Sequence, residues 1–234
     1  MVVREFKSVV RRTFRRVMWH DQARNDHLLT QLWNDPDGLL TSGTMLKDGD
    51  RSTVVRIEGE GVSHVLKRYN LKGSIHTTAH AFLRSRAMWS WRNGLYAHQA
   101  GIPTPRPLAA LEMRFGPMRG VSFFLCDYVE GITLFDLVRD HNPEPSQIDE
   151  LAMAFSQIWQ GLGRLRLTHG DMKATNYIVD QEGKIWMLDL DGMRRRKLGL
   201  IWKRQREKDR RRFMKNWQDL QEPAAAFLAC VDTD

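Results

Sequence analysis

The sequence predicts an α+β fold of two lobes, a small antiparallel sheet lobe followed by a helical lobe. Three observations carry that expectation. Short β-like runs separated by turn residues crowd between residues 39 and 128. Apolar residues at three- and four-residue steps, the mark of an amphipathic helix, dominate the chain after that stretch. Strands and helices do not alternate as a doubly wound parallel sheet would require.

The elements follow in order. Residues 3–18 read as a basic amphipathic helix, with Val3, Phe6, Val10, Phe14 and Val17 on one side and Arg4, Lys7, Arg11, Arg12, Arg15 and Arg16 on the other. The run Asn34-Asp35-Pro36-Asp37-Gly38 has the chemistry of a loop. A strand over about residues 39–46 leads through Lys47-Asp48-Gly49-Asp50 into a hairpin of residues 53–57 and 63–67. Residues 79–99 turn helical, with Leu83, Ala87, Trp91 and Leu95 at four-residue spacing. That helix stops at Ala100-Gly101, with prolines beyond. Residues 108–112 and 121–128 form two more strands about a Gly116-Pro117 turn. A helix over residues 149–163 buries Leu151, Phe155, Ile158, Trp159 and Leu162. Two short runs, 177–179 and 185–188, flank a turn at 180–183, and helix and basic coil follow residue 192. Trp89, Trp91 and Trp159 sit at helical spacings that suit a core. The implied division is a lead-in at 1–33, a sheet lobe at 34–126 and a helical lobe at 127–234, joined near residues 126–131.

Composition narrows the class. The chain has 234 residues, of which 42% are hydrophobic and 27% charged, so it can bury a core in one or two domains. Cys126 and Cys230 lie too far apart in sequence to suggest a disulfide framework or a cysteine-pair zinc site, a usage that suits a reducing compartment. No apolar run approaches the roughly 20 residues that span a bilayer, and residues 1–20 lack a secretory pattern. A soluble intracellular chain is expected. The formal charge of +8 is uneven: residues 1–19 carry +5, residues 194–215 carry +10, and the remainder carries −7. Two basic docking segments on an acidic body are the implication.

The densest chemistry lies in His169-Gly170-Asp171-Met172-Lys173-Ala174-Thr175-Asn176, followed by Leu188-Asp189-Leu190-Asp191. These residues offer a carboxylate, a cation, an amide and a second carboxylate within two adjacent turns. Phosphoryl transfer needs such parts, because its barrier lies in positioning and charge stabilisation.

The H-G-D-x-K-x-x-N run with D-L-D resembles the catalytic and metal-binding loops of the protein-kinase-like fold, with Gly170 in place of the Arg of H-R-D. Within that fold the chain is most similar to the bacterial lipopolysaccharide core kinases that phosphorylate Kdo or heptose. Residues 51–54, 65–69, 101–108 and 169–176 carry the likeness, which covers roughly residues 40–195.

The resemblance implies a role for each matching residue. Asp171 would accept or orient the acceptor hydroxyl, and Lys173 would neutralise the transferring phosphate. Asn176 and Asp189 would hold Mg²⁺. Lys67 would pair with the α- and β-phosphates of ATP, Asp127 and Val129 would present backbone groups to adenine, and Gly49, Ser52 and Thr53 would lie over the phosphates. His169 reads as a support of the loop rather than an acid or base. Asp191 is equally a second metal ligand or a solvated turn carboxylate.

Three departures from the family pattern stand out. The turn at 48–50 has one glycine where a phosphate-covering loop has three, and residues 70–100 contain no Asp or Glu to orient Lys67. Asp191 also replaces the glycine of D-F-G, which argues against a regulated activation loop. The implied acceptor is a sugar of the lipopolysaccharide inner core, met at the cytoplasmic face of the inner membrane. The basic ends would attach to that anionic surface as a peripheral protein or to lipid A phosphates. Nucleic acid is disfavoured, since no recognition motif is present. A kinase for a soluble acceptor and a non-catalytic nucleotide-binding adaptor remain as alternatives.

Overall fold

The computed structural model describes residues 8–21, 27–59, 61–70 and 84–232. The chain divides into two compact units, one of Met1–Leu95 with Arg106–Tyr128 and one of Tyr96–Pro105 with Val129–Asp234. Helix and antiparallel sheet combine as an α+β fold.

In the first unit the described strands form one antiparallel sheet in the order β1-β2-β6-β7-β5-β4-β3. Their spans are β1 Ser8–Arg12, β2 Arg16–Asp21, β3 Thr44–Lys47, β4 Ser52–Gly59, β5 Val62–Tyr69, β6 Pro107–Phe115 and β7 Met118–Asp127. The hairpin expected at 53–57 and 63–67 is β4–β5, in register from Ser52↔Tyr69 to Gly59↔Val62. Gly61 turns it in the left-handed region at φ 76°. Helices α1 (His27–Asn34) and α2 (Pro36–Thr41) cover one cluster of the sheet. There Leu28, Leu29, Leu32 and Trp33 pack with Val55, Ile57, Leu66, Leu108, Leu111 and Phe123. Helix α3 (Arg86–Gln99) closes another with Ala87, Met88 and Trp91 against Tyr69 and Ala110.

Three local expectations are corrected. Residues 8–21 form the hairpin β1–β2, not a stretch of amphipathic helix, and the rest of the expected span, 3–7, lies outside the described residues. The spacing misleads because it does not define a buried face: Val10 is 52% and Phe14 67% exposed, whereas Val17 and Met18 are buried. Strand β2 pairs with β6 from Arg16↔Met113 to His20↔Ala109. Residues 36–41 are helix α2 rather than loop and strand. Asp35 caps it by accepting from the Gly38 N–H at 2.9 Å, and Pro36 stands in the first turn. The strand expected from 39 to 46 is therefore only β3. Of the helix expected over 79–99, residues 86–99 are α3, residues 84–85 precede it without helix, and 79–83 lie outside the described residues.

In the second unit α5 (Pro145–Arg164) is the spine, burying Leu151, Phe155, Ile158, Trp159 and Leu162. Two further helices, α6 (Gly199–Met214) and α7 (Gln221–Val231), complete its core. Phe155 stacks on Phe213 at 4.0 Å and Trp217 on Phe227 at 4.8 Å, with Tyr177 edge-on to Phe155. The basic C-terminal stretch is thus a core element as well as a charged one. Helix α4 (Leu134–Asp140) follows β8 (Ile132–Thr133), and β10 (Tyr177–Val179) joins β8 to β11 (Ile185–Met187). Strands β9 (Leu167–Thr168) and β12 (Arg194–Arg195) pair across the 169–193 segment and pin both its ends.

Candidate active site

Strand β9 delivers the chain into His169, which is fully buried. The His169 Nε2 lies 2.9 Å from the Leu188 carbonyl, and the Asp171 N–H donates to Nδ1 at 3.3 Å. The ring thus bridges the Leu188 carbonyl and the Asp171 N–H. His169 therefore supports the loop, and it ties Asp171 to the residue directly before Asp189. Gly170 sits at φ 85°, and a Cβ there would lie 2.9 Å from the Gly192 carbonyl oxygen. Any side chain there would be strained and would push on the Gly192 carbonyl, so glycine suits the place that Arg takes in H-R-D.

Asn176 closes a short 3₁₀ turn, Ala174–Asn176. Its Nδ2 donates to the Asp171 carbonyl at 2.8 Å, and the Leu188 N–H donates to the Asn176 carbonyl at 2.8 Å. Asp189 follows in the left-handed region at φ 55°, ψ 55°, opening the 3₁₀ turn Leu190–Gly192. Asp171, Lys173 and Asn176 are thus joined through one network of backbone and side-chain bonds within the second unit, and Asp189 follows Leu188, which is bonded to Asn176. The Asp171 Oδ1 lies 3.5 Å from Lys173 Nζ and 3.1 Å from Arg212 Nε, so one carboxylate stands between two cations.

Two residues of α6 that sequence reasoning passed over complete this loop. Asp209 is buried and accepts from the His169 N–H at 2.7 Å and the Gly170 N–H at 3.0 Å. Burial pushes its carboxyl up, against His169, the two backbone N–H groups and Arg212, which favour the charged form. Arg212 also donates from Nη1 to the Gly170 carbonyl at 3.2 Å. The available signal was that only Glu207 and Asp209 interrupt the basic run of residues 194–215.

In the first unit Lys67 lies on β5 opposite Phe124, its Nζ 5.0 Å from the centre of the Tyr69 ring. Helix α3 presents no carboxylate to that neighbourhood. Instead Arg86 lies 4.6 Å from the same ring, and Ser90 bonds the Tyr69 hydroxyl at 2.7 Å. Gly49 accepts from the Ser52 N–H at 3.1 Å, and Thr53 donates to Asp48 Oδ1 at 3.3 Å, so the β3–β4 turn is held by its own bonds. Asp127 ends β7 with Oδ1 3.4 Å from His64 Nδ1, and Val129 is the first residue of the second unit after Tyr128. Burial pushes the adjacent Cys126 thiol up to about 12, which leaves it chemically inert.

The donor set fits a hard cation. Asn176 gives its amide N–H to Asp171, which turns its amide oxygen the other way, and Asp189 supplies a carboxylate. Among the described residues no group of three His, Cys, Asp or Glu side chains could hold a metal. An amide oxygen and carboxylate oxygens are hard donors of the kind that Mg²⁺ takes together with waters and substrate phosphates.

The model of the lipopolysaccharide kinase (Kdo/WaaP) family matches residues 41–229. The chain belongs to that family. Its relatives include proteins named 3-deoxy-D-manno-octulosonic acid kinase from three organisms. The Actinobacillus succinogenes protein is 30% identical over 176 residues, 70% of each chain. The Stenotrophomonas maltophilia protein is 27% identical over 179 residues, 73% of this chain and 66% of its own. The Xylella fastidiosa protein (strain 9a5c) is 24% identical over 152 residues, 62% of this chain and 59% of its own. The chain thus spans about three-fifths of the length of that Xylella relative. The matched span of the Kdo/WaaP family contains every residue placed above. No helix among the described residues is long and apolar enough to cross a membrane.

Proposed function

We propose that this protein is an ATP-dependent kinase that phosphorylates a sugar hydroxyl, of Kdo or heptose, in the lipopolysaccharide inner core. The observation that carries the reading is the Asp171 carboxylate, fixed between Lys173 and Arg212 on a loop bonded directly to Asn176. Membership of the Kdo/WaaP family and relatives named for Kdo support it.

In this reading Asp171 orients the acceptor hydroxyl and takes its proton as the new bond from the sugar oxygen to the γ-phosphorus forms and the bond from that phosphorus to ADP breaks. Lys173 offsets the charge on the transferred phosphate. His169 keeps the Asp171 N–H and the Leu188 carbonyl in place, and Asp209 holds the loop from below. Asn176 and Asp189 would hold Mg²⁺, which when bound neutralises phosphate charge. Lys67 would meet the nucleotide phosphates beneath the turn of Gly49, Ser52 and Thr53, and Asp127 and Val129 would face adenine. The working site is the cytoplasmic face of the inner membrane.

Transfer from γ-labelled ATP to extracted lipopolysaccharide tests the proposal, with Asp171→Asn as the control. Label in the glycolipid with wild type and none with the variant is the expected result. Transfer by Asp171→Asn at the wild-type rate would remove Asp171 as the base. Transfer only to soluble sugars or amino alcohols would replace the acceptor.

A further inference from the structure

Helix α6 of the second unit begins in an exposed tip that combines aliphatic and basic side chains. Residues 197–201 are all exposed, with Leu198 at 66%, Leu200 at 85% and Ile201 at 45%. Single exposed apolar residues are ordinary on a protein surface, but neighbours in a run form a patch. Leu200 is the most exposed large apolar side chain among the described residues. The link before the helix is held in place. Arg166 donates from Nη1 to the Lys197 carbonyl at 3.2 Å, and the Arg196 N–H donates to the Arg166 carbonyl at 2.9 Å. The inner face of α6 is held as well, since the Arg206 guanidinium lies 3.6 Å from the centre of the Trp159 ring. The exposed tip thus rests on a secured base.

Cations share its outer face. Lys203 and Arg204 follow Leu200 at three- and four-residue steps, so they lie beside it on the side of α6 opposite the buried Arg206, Asp209 and Phe213. Lys208 continues the row from Arg204 and is also exposed. Arg195 and Lys197, exposed too, flank the patch on the incoming strand and link. No Asp or Glu occurs from Gly192 to Arg206. Glu207, the first acid after them, accepts at 2.7 Å from both Arg210 and Arg211. Residues 84–232 are described without a break, and Asp232 meets α6 at Arg210, beyond this tip.

We propose that the tip of α6 is a membrane-docking element. Leu198, Leu200 and Ile201 enter the boundary between headgroups and acyl chains of an anionic bilayer, while Arg195, Lys197, Lys203 and Arg204 meet its phosphates. Aliphatic side chains ringed by basic ones, with no acid among them, complement a surface that is apolar within and negative at its rim. A second protein is a poorer fit, because three aliphatic side chains fall short of the roughly 800 Å² a side that a stable protein interface buries. This docking role rests on the inner-membrane working place proposed above and gives it an element. The Asp171 loop takes no part in it, and vesicles without acceptor or ATP test it, so its failure leaves the proposed transfer untouched.

Flotation of the full chain with phosphatidylcholine vesicles, with and without phosphatidylglycerol, is the test. Wild type is expected to float with the phosphatidylglycerol vesicles and not with phosphatidylcholine alone. Lys203→Gln with Arg204→Gln should weaken that binding at least about tenfold, because each cation near an anionic surface adds to the attraction. Leu200→Ser with Ile201→Ser should weaken it at least about fivefold through lost insertion. Lys184→Gln with Lys215→Gln makes the same charge change in the β10–β11 turn and at the far end of α6, and should bind like wild type. All six side chains are exposed, and matched unfolding midpoints would verify the fold. Equal binding with and without phosphatidylglycerol, wild-type binding by the serine pair, or an equal loss in the Lys184 and Lys215 variant overturns the proposal. So does a wild-type dimer that the serine pair converts to a monomer without loss of vesicle binding, which assigns the patch to a second copy of the chain.

Discussion

Arg212 Nε stands 3.1 Å from Asp171 Oδ1, so the helix that carries most of the C-terminal basic charge places one cation against the proposed base. The same guanidinium reaches the Gly170 carbonyl. Arg212→Gln removes both contacts and leaves Lys173 alone beside the carboxylate. Both partners are more than a third exposed, which screens the pair, so a loss of about tenfold in kcat/KM is expected. ATP affinity, measured by titration, should stay at the wild-type value.

Asp209 holds the other side of this loop. Asp209→Ala leaves the buried N–H of His169 and the part-buried N–H of Gly170 without this acceptor. Each such bond to a charged group contributes about 1.5–3 kcal/mol, so a stability loss of several kcal/mol should appear in urea unfolding. Asp209→Asn keeps one acceptor oxygen and should recover about half of that loss.

Gly170→Ala tests the backbone. The new methyl would sit 2.9 Å from the Gly192 carbonyl oxygen at a φ that side chains avoid. We expect a cost of about 1–3 kcal/mol in stability and a matching fall in transfer, because relief of the clash moves Asp171. Gly183→Ala, also at positive φ but with open space around it, should show only a strain of about 1 kcal/mol in the same unfolding assay.

The aromatic centre of the second unit predicts a large effect of Phe213→Ala. Phe213 is fully buried, stacked on Phe155 and edge-on to Tyr177, Trp217 and Phe227. A loss of about 3–5 kcal/mol is expected from the cavity alone. Calorimetry on the variant would measure it, and a loss under about 1 kcal/mol would contradict the packing described.

Glu207 gives a pH signature. Side-chain bonds from Arg210 and Arg211 hold its carboxyl down at about 2. A carboxyl depressed in the folded state stabilises above its unfolded pKa, near 4.3, and loses that contribution as pH falls towards 2. Glu207→Gln should therefore lower the urea midpoint slightly at pH 7, and the difference from wild type should vanish between about pH 4.3 and pH 2.

Much of the candidate site was legible because its chemistry is contiguous. His169 to Asn176 is one short run, and Asp189 follows on the next turn, so side-chain type and spacing alone assemble the parts. The β4–β5 and β6–β7 hairpins were legible for a similar reason, since alternation and turn glycines act locally. Asp209 and Arg212 were not. Their partners lie about 40 residues earlier in the chain, and nothing in a run of arginines and lysines marks which acid is buried or which cation faces Asp171.

The N-terminal segment shows the limit most plainly. Its apolar spacing satisfies a helix, yet β2 has an open strand edge to join at β6, and ladder bonds formed there outweigh a weak local preference. By itself the sequence determined the α+β class, the hairpins, the buried face of α5 and the residue types of the Asp171 loop. The tertiary structure alone decided which edge the N-terminal strands joined and how α6 clamps the loop. Those outcomes depend on burial and on contacts between distant segments, where desolvation makes a single pairing far more consequential than the same residues in an open chain.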